Sequence, residues 1–159
     1  FINDYGAETG SLEKTKLTLY FASADGQSLV KQEKDVYYNK NVARERLIMD
    51  YLLKGPDSDD AKSVFPSGTK ILNVTVTDGV CYVNLDEMFL NQNQEISEPV
   101  VLYSIVDSLT ELTGIDKVQI SINGDTSGKC RYTYKLSKMY KADDRLVTKE
   151  SDEKVESTE

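Results

Sequence analysis

The amino-acid sequence predicts an α/β domain of the α+β kind: a single mixed sheet with two helices packed on one face, in the order strand, edge strand, helix, hairpin, helix, strand. Three observations lead there. Leu17, Leu19 and Phe21 alternate with polar neighbours, Asp78-Gly79 separates two further alternating runs, and Val101, Ile105, Leu109 and Leu112 recur at helical spacing.

The elements follow in order. Lys16, Thr18 and Tyr20 interleave with Leu17, Leu19 and Phe21, giving a half-buried strand that Asp25-Gly26 stops. Residues 29–38 set Lys31, Glu33 and Asp35 between Leu29 and Tyr37-Tyr38, the pattern of a charged edge strand. Val42, Ile48, Met49, Leu52 and Leu53 then mark a helix, with Asn41 as its expected cap and Lys54-Gly55-Pro56 as its stop. A loop from Asp57 to Gly68 leads into a hairpin with Asp78-Gly79 at its tip. That turn pairs Thr77 with Val80, Val76 with Cys81, Val74 with Val83 and Leu72 with Leu85, so every pair on this face is apolar. Ser97 is placed to cap the second helix, with Glu98 and Pro99 in its first turn and Gly114 at its end. Val118, Ile120 and Ile122 form the last core strand, and Tyr132, Tyr134 and Leu136 are expected to add one more across a loop. Residues 1–15 are expected to be a flexible leader, 16–141 the folded domain with a Tyr-rich C-terminal extension, and 142–159 a disordered acidic tail.

Composition narrows the function. A chain of 159 residues can bury one core. No run approaches the roughly 20 apolar residues of a membrane span. A net charge of -8 repels phosphate backbones, which excludes nucleic acid as a partner. The sequence has no histidine and two widely separated cysteines, so it lacks the commonest general base and metal ligand and any CxxC cluster. No cofactor and no metal are expected.

Phe65-Pro66-Ser67-Gly68-Thr69-Lys70-Ile71-Leu72, then Asp78-Gly79-Val80-Cys81-Tyr82-Val83-Asn84-Leu85 and Met88-Phe89, resemble the core signature of the GerM domain of bacterial sporulation and germination lipoproteins. The first strand at 17–22, the helix ending in Gly55-Pro56, and the helix and strand within 98–122 agree in order, so the resemblance covers about residues 16–124. It implies a partner-binding module of Gram-positive envelopes, related to ring-building motifs of sporulation channel complexes, with no catalytic residue to carry over.

Sharper motifs weigh little. Gly124-Asp125-Thr126-Ser127-Gly128-Lys129 invites a phosphate-loop reading, but Asn123 and Cys130 stand where a glycine and a hydroxyl are needed. Asp57, Asp59 and Asp60 miss the spacing of a calcium loop. Asp86 and Glu87 are adjacent on an extended chain, so they point apart and make a poor acid/base pair. Cys81 falls on the apolar side of its strand, where a thiol acts as a small hydrophobe. The chain is therefore read as no enzyme.

What remains is the sheet face opposite the helices. Tyr20, Thr75, Tyr82, Asn84 and Gln119, with Thr18, Asn73 and Ser121, are expected there as an amphipathic surface. Either a partner or the chain's own Tyr132 to Tyr134 segment could cover it. The function that follows is an extracytoplasmic protein-interaction module that binds other envelope proteins or itself. A lipidated residue upstream of Phe1, with the polar leader as tether, would be its only link to a membrane. The alternative is a cell-wall accessory that binds or hydrolyses peptidoglycan, which would need two carboxylates facing each other across a cleft.

Overall fold

The computed structural model describes residues 12–148. It is an α+β fold with two helices, as predicted, but the strands form two three-stranded sheets where the sequence led us to expect one. The first sheet has β1 (Leu12–Ser23) between β2 (Leu29–Asn39) and the two-residue β3 (Ala61–Lys62). The second has β5 (Val80–Leu85) between β4 (Ile71–Thr77) and β6 (Lys117–Ile122). Helices α1 (Arg44–Lys54) and α2 (Glu98–Thr110) touch each other, and each touches strands of both sheets.

Hydrogen bonding explains the division. Beyond its pairing with β2, the middle of β1 turns its other edge to α2, where the Tyr20 N–H donates to Ser108 Oγ (2.9 Å) and Ser104 Oγ donates to the Tyr20 carbonyl (2.6 Å). Helix hydroxyls thus satisfy the backbone groups that a neighbouring strand would have used. A strand cannot dock there as well, and α2 is drawn between the sheets. Ten of its thirteen residues are buried, Glu98, Asp107, Ser104 and Ser108 among them.

The ends of the chain correct two boundaries. Residues 12–15 of the expected leader belong to β1, pairing with Asn39 through Val36. Their polar sequence hid this because at that end of the hairpin β2 supplies the buried groups, Val36 and Tyr38, while the side chains of β1 stay exposed or half-buried and meet charges such as Asp35, 4.0 Å from Lys14. At the other end, residues 142–148 of the expected tail are docked. The Asp143 N–H donates to Asp107 Oδ1 (3.0 Å), Asp144–Leu146 forms a 3-10 turn, and the Thr148 N–H donates to the Leu29 carbonyl (2.8 Å). The remainder of both expected segments, 1–11 and 149–159, lies outside the described residues.

Three local expectations also change. Ala43 precedes α1 where Asn41 was expected to cap it, because the Asn39 side chain and carbonyl accept the N–H groups of Asn41 and Val42 and so form a separate turn. The β4–β5 register holds from Thr77–Val80 to Asn73–Asn84, and both Asp78 (φ 53°) and Gly79 (φ 82°) take the left-handed conformation that the hairpin turn requires. Below Asn73, however, a bulge pairs Leu85 with Ile71, and Leu72 is left 45% exposed. Lys70 and Asp86 set that register, since the Asp86 N–H donates to the Lys70 carbonyl and the Lys70 N–H to Asp86 Oδ1 (both 3.0 Å). Lastly, Tyr132, Tyr134 and Leu136 form no strand. The N–H groups of Arg131, Thr133 and Tyr134 point instead at the Glu98 carboxylate.

Gly26 shows how closely the first hairpin meets the segment before α2. It has φ +75°, its carbonyl accepts the Ser97 N–H (3.0 Å), and a Cβ there would lie 2.2 Å from the Glu95 carbonyl oxygen. Backbone stands on both sides of that clash, so neither can yield cheaply. Gly26→Ala is expected to destabilise the fold by about 2–4 kcal/mol, combining a left-handed alanine with a forced displacement. Urea denaturation measures it, and a loss below about 1 kcal/mol would mean that the contact yields readily.

Candidate functional site

The second sheet presents the expected polar face, built by strand alternation. Cys81, Val83 and Leu85 on β5 and Val118, Ile120 and Ile122 on β6 are buried, so the residues between them face outward. Register aligns these in rows: Thr77, Val80 and Lys117; Thr75, Tyr82 and Gln119; Asn73, Asn84 and Ser121. Four of the five candidate residues, Thr75, Tyr82, Asn84 and Gln119, therefore share one surface. Its single formal charge is Lys117, on a chain with 27 acidic residues.

Three hydrogen bonds hold the face in place. Asn84 Oδ1 accepts from Ser121 Oγ (3.1 Å) and from the Gly124 N–H (2.8 Å), so the loop that resembled a phosphate-binding motif is anchored to the end of β5. Gln119 Nε2 donates to the Leu136 carbonyl (3.1 Å), where the C-terminal extension touches the face. The tyrosines of that extension go elsewhere. Tyr132 is 69% exposed, while Tyr134 packs edge-on against Tyr103 of α2 and against Tyr140.

Tyr20 is not on this surface. It is 7% exposed and belongs to the first sheet, where its hydroxyl donates to Glu111 (2.6 Å). Burial first, then the Glu111 hydrogen bond and charge, raise its pKa well above the ordinary tyrosine value. The inside-outside alternation of β1 fails here because α2 covers the strand where solvent was expected.

Around Tyr20 lies a feature that the sequence did not disclose. A cavity of about 730 Å³ is lined by Tyr20, Asp107, Thr110, Glu111, Asp116, Lys117, Lys141 and Asp144. Burial raises Asp107 to about 6; the Asp143 N–H opposes that rise, and the charges of Asp143, Asp144 and Glu111 add to it. Glu98, at the other end of α2, is buried too. Burial alone would raise its pKa, but the backbone N–H groups of Tyr134, Thr133, Tyr132 and Arg131 outweigh this and leave it below the ordinary value. Neither role is readable locally: Glu98 looks like a first-turn acid, and Asp107 falls off the apolar stripe.

The remaining candidates take structural parts. Asp86 accepts the Met88 N–H (3.2 Å) at the start of the 3-10 turn Glu87–Leu90, and Glu87 accepts from Asn123 Nδ2 (3.0 Å). Cys81 and Cys130 are buried free thiols, each pushed up to about 12 by burial. Among the described residues no group of three or more acidic or sulfur ligands gathers in metal-binding geometry, and no helix is long and apolar enough to cross a membrane.

Comparison with known proteins agrees with this architecture. The family model described as Germane, sporulation and spore germination, matches residues 18–128. Among solved structures, the tandem GerMN domains of the sporulation protein GerM from Bacillus subtilis are 20% identical, with a TM-score of 0.67 over 89% of this chain and 51% of that one. This chain thus spans about half the length of the tandem. The first GerMN domain of the same protein is 22% identical, with a TM-score of 0.62 over 76% of this chain and 91% of that one. A protein described as a lipoprotein from Clostridium perfringens is 20% identical, with a TM-score of 0.56 over 82% and 89%. No curated protein sequence matches the chain.

The buried carboxylate generates a pH prediction. Asp107 is raised in the folded state from an ordinary 3.8 to about 6, so its ionisation weighs against folding. That penalty is absent below about pH 4 and complete above about pH 6. In Asp107→Asn the amide oxygen can still accept the Asp143 N–H and carries no charge. The variant is expected to gain about 2–3 kcal/mol on the natural chain as pH rises from 4 to 7. Denaturant titrations of both proteins across that range decide it; a stability difference that does not change with pH would refute the assignment.

Proposed function

The chain belongs to the Germane family of sporulation and spore germination, and on that premise we propose that it is an extracytoplasmic protein-interaction module of a bacterial cell-envelope lipoprotein, working in envelope assembly of the sporulation or germination type. One observation carries this reading: the outer face of the second sheet, held in place by hydrogen bonds and nearly uncharged on an acidic protein, bounded by the open edge of β4. Amide and hydroxyl groups around a half-buried tyrosine offer low desolvation cost together with hydrogen bonding, the character of a protein-binding surface. Attachment to the membrane through a lipidated residue upstream of Phe1 belongs to the same proposal.

A second reading, a cell-wall accessory acting on peptidoglycan, draws on the cavity beside Tyr20, where Asp107 has the raised pKa of a general acid. The fold itself uses these groups: Asp107 accepts the Asp143 N–H and Glu111 the Tyr20 hydroxyl. We therefore place the function on the sheet face and propose that the chain is not an enzyme.

Site-specific photocross-linking separates the two. With a photoreactive phenylalanine derivative in place of Tyr82, intact cells of the source bacterium are expected to yield an adduct with an envelope protein. The same probe in place of the exposed Tyr37 on β2 should yield none. Equal adducts at both positions, or none at Tyr82 in cells that contain the protein, would count against the interaction face. Soluble fragments released from purified peptidoglycan, and lost in Asp107→Asn, would establish the second reading instead.

A further inference from the structure

The sheet edges of this fold are unequal. β2 carries Lys31, Glu33, Lys34 and Asp35, and the Leu29 end of that strand is closed by the Thr148 N–H (2.8 Å). The free side of β6 is taken by Tyr140, which exchanges two hydrogen bonds with Val118 (2.9 and 2.8 Å). β3 is two residues long. Among the described residues, β4 alone presents a long edge with no charge and no proline, Ile-Leu-Asn-Val-Thr-Val-Thr, and nothing paired to it. Natural sheets normally blunt such an edge with charge, proline or a covering element.

We propose that the open edge of β4 is a two-fold self-association site, on which a second copy of this chain adds its own β4 antiparallel and makes the two second sheets continuous. This deepens the interaction-module reading and rests on it.

The backbone supplies the contacts. In the two-residue hairpin the pair Thr77–Val80 next to the turn exchanges hydrogen bonds, so by alternation the N–H and C=O groups of Val74 and Val76 face outward to the open side. The side chains specify the occupant. β4 has two exposed large apolar residues, Leu72 at 45% and Val76 at 37%, placed symmetrically about Val74. An antiparallel pairing centred on Val74 sets Leu72 of each copy opposite Val76 of the other, so each covers its counterpart. Charge selects the same approach. Two copies of a chain with net charge -8 repel over most of their surface, whereas β4 carries no charge of its own and Val76 stands beside Arg44 and Glu45, a cation and an anion that offset each other.

The test is sedimentation equilibrium of the whole chain from about 1 μM to about 1 mM, the range where moderate homodimers form. A concentration-dependent dimer is expected. Leu72→Lys and Val76→Lys, both at exposed positions, should each weaken it about tenfold or more, because each places two charges at the interface. The double variant Leu72→Glu with Val76→Lys should regain association, since opposite charges then meet across the two-fold. Tyr37→Lys on β2 should leave it unchanged. A chain that stays monomeric throughout, or a double variant no better than the single ones, would overturn the proposal. A monomer that still cross-links an envelope protein through position 82 would end this inference alone and leave the interaction-module reading intact.

Discussion

The backbone of Tyr20 is bound by a helix where another strand would be expected, and most of the architecture follows from that exchange. Ser108 Oγ accepts the Tyr20 N–H and donates to the Ser104 carbonyl (2.6 Å), while Ser104 Oγ donates to the Tyr20 carbonyl. These groups are buried, and leaving one unpaired costs about 1–3 kcal/mol. The network therefore fixes both the rotation of α2 and its depth. It also ends the first sheet at β1 except for the short β3, and so divides the strands into two sheets that share a helical layer.

With α2 drawn inward, its carboxylates become buried anchors. Glu98 gathers the backbone of residues 131–134 and Asp107 that of Asp143, so the C-terminal extension is led along α2. The extension lies almost wholly beyond the family match, which ends at residue 128. On its way it closes the β6 edge through Tyr140 and reaches the start of β2 through Thr148. The two carboxylates differ in electrostatic cost: four backbone dipoles favour the charge on Glu98, whereas one hydrogen bond does not offset the burial of Asp107. Among the described residues, what this wrapping leaves open is the charged edge of β2, the uncharged edge of β4 and the neutral face beside β4.

The parts that periodicity and turn chemistry govern were legible in the sequence. The Asp78-Gly79 hairpin, both helices and the inward residues of β5 and β6 follow from local pattern, because each depends on neighbours within a few residues. The rows of Thr75, Tyr82, Asn84 and Gln119 were legible for the same reason. Tyr20 was misplaced because its environment is set by Ser104 and Ser108, more than eighty residues away. Even so, two small hydroxyls one turn apart inside an apolar helix are a signal that something polar lies opposite. Leu72 was misplaced because Lys70 and Asp86 fix the register from outside the strand. The extension read as a strand because alternation cannot reveal that its N–H groups are claimed by a carboxylate.

Amide hydrogen exchange on the dilute chain, where monomers prevail, tests the central claim most directly. That claim is that α2 takes the edge of β1 while β4 stays open. It predicts a strongly protected Tyr20 amide, exchanging only with global unfolding, beside rapidly exchanging amides at Val74 and Val76. A Tyr20 amide that exchanges freely, or Val74 and Val76 amides protected as well as those of β5, would contradict it.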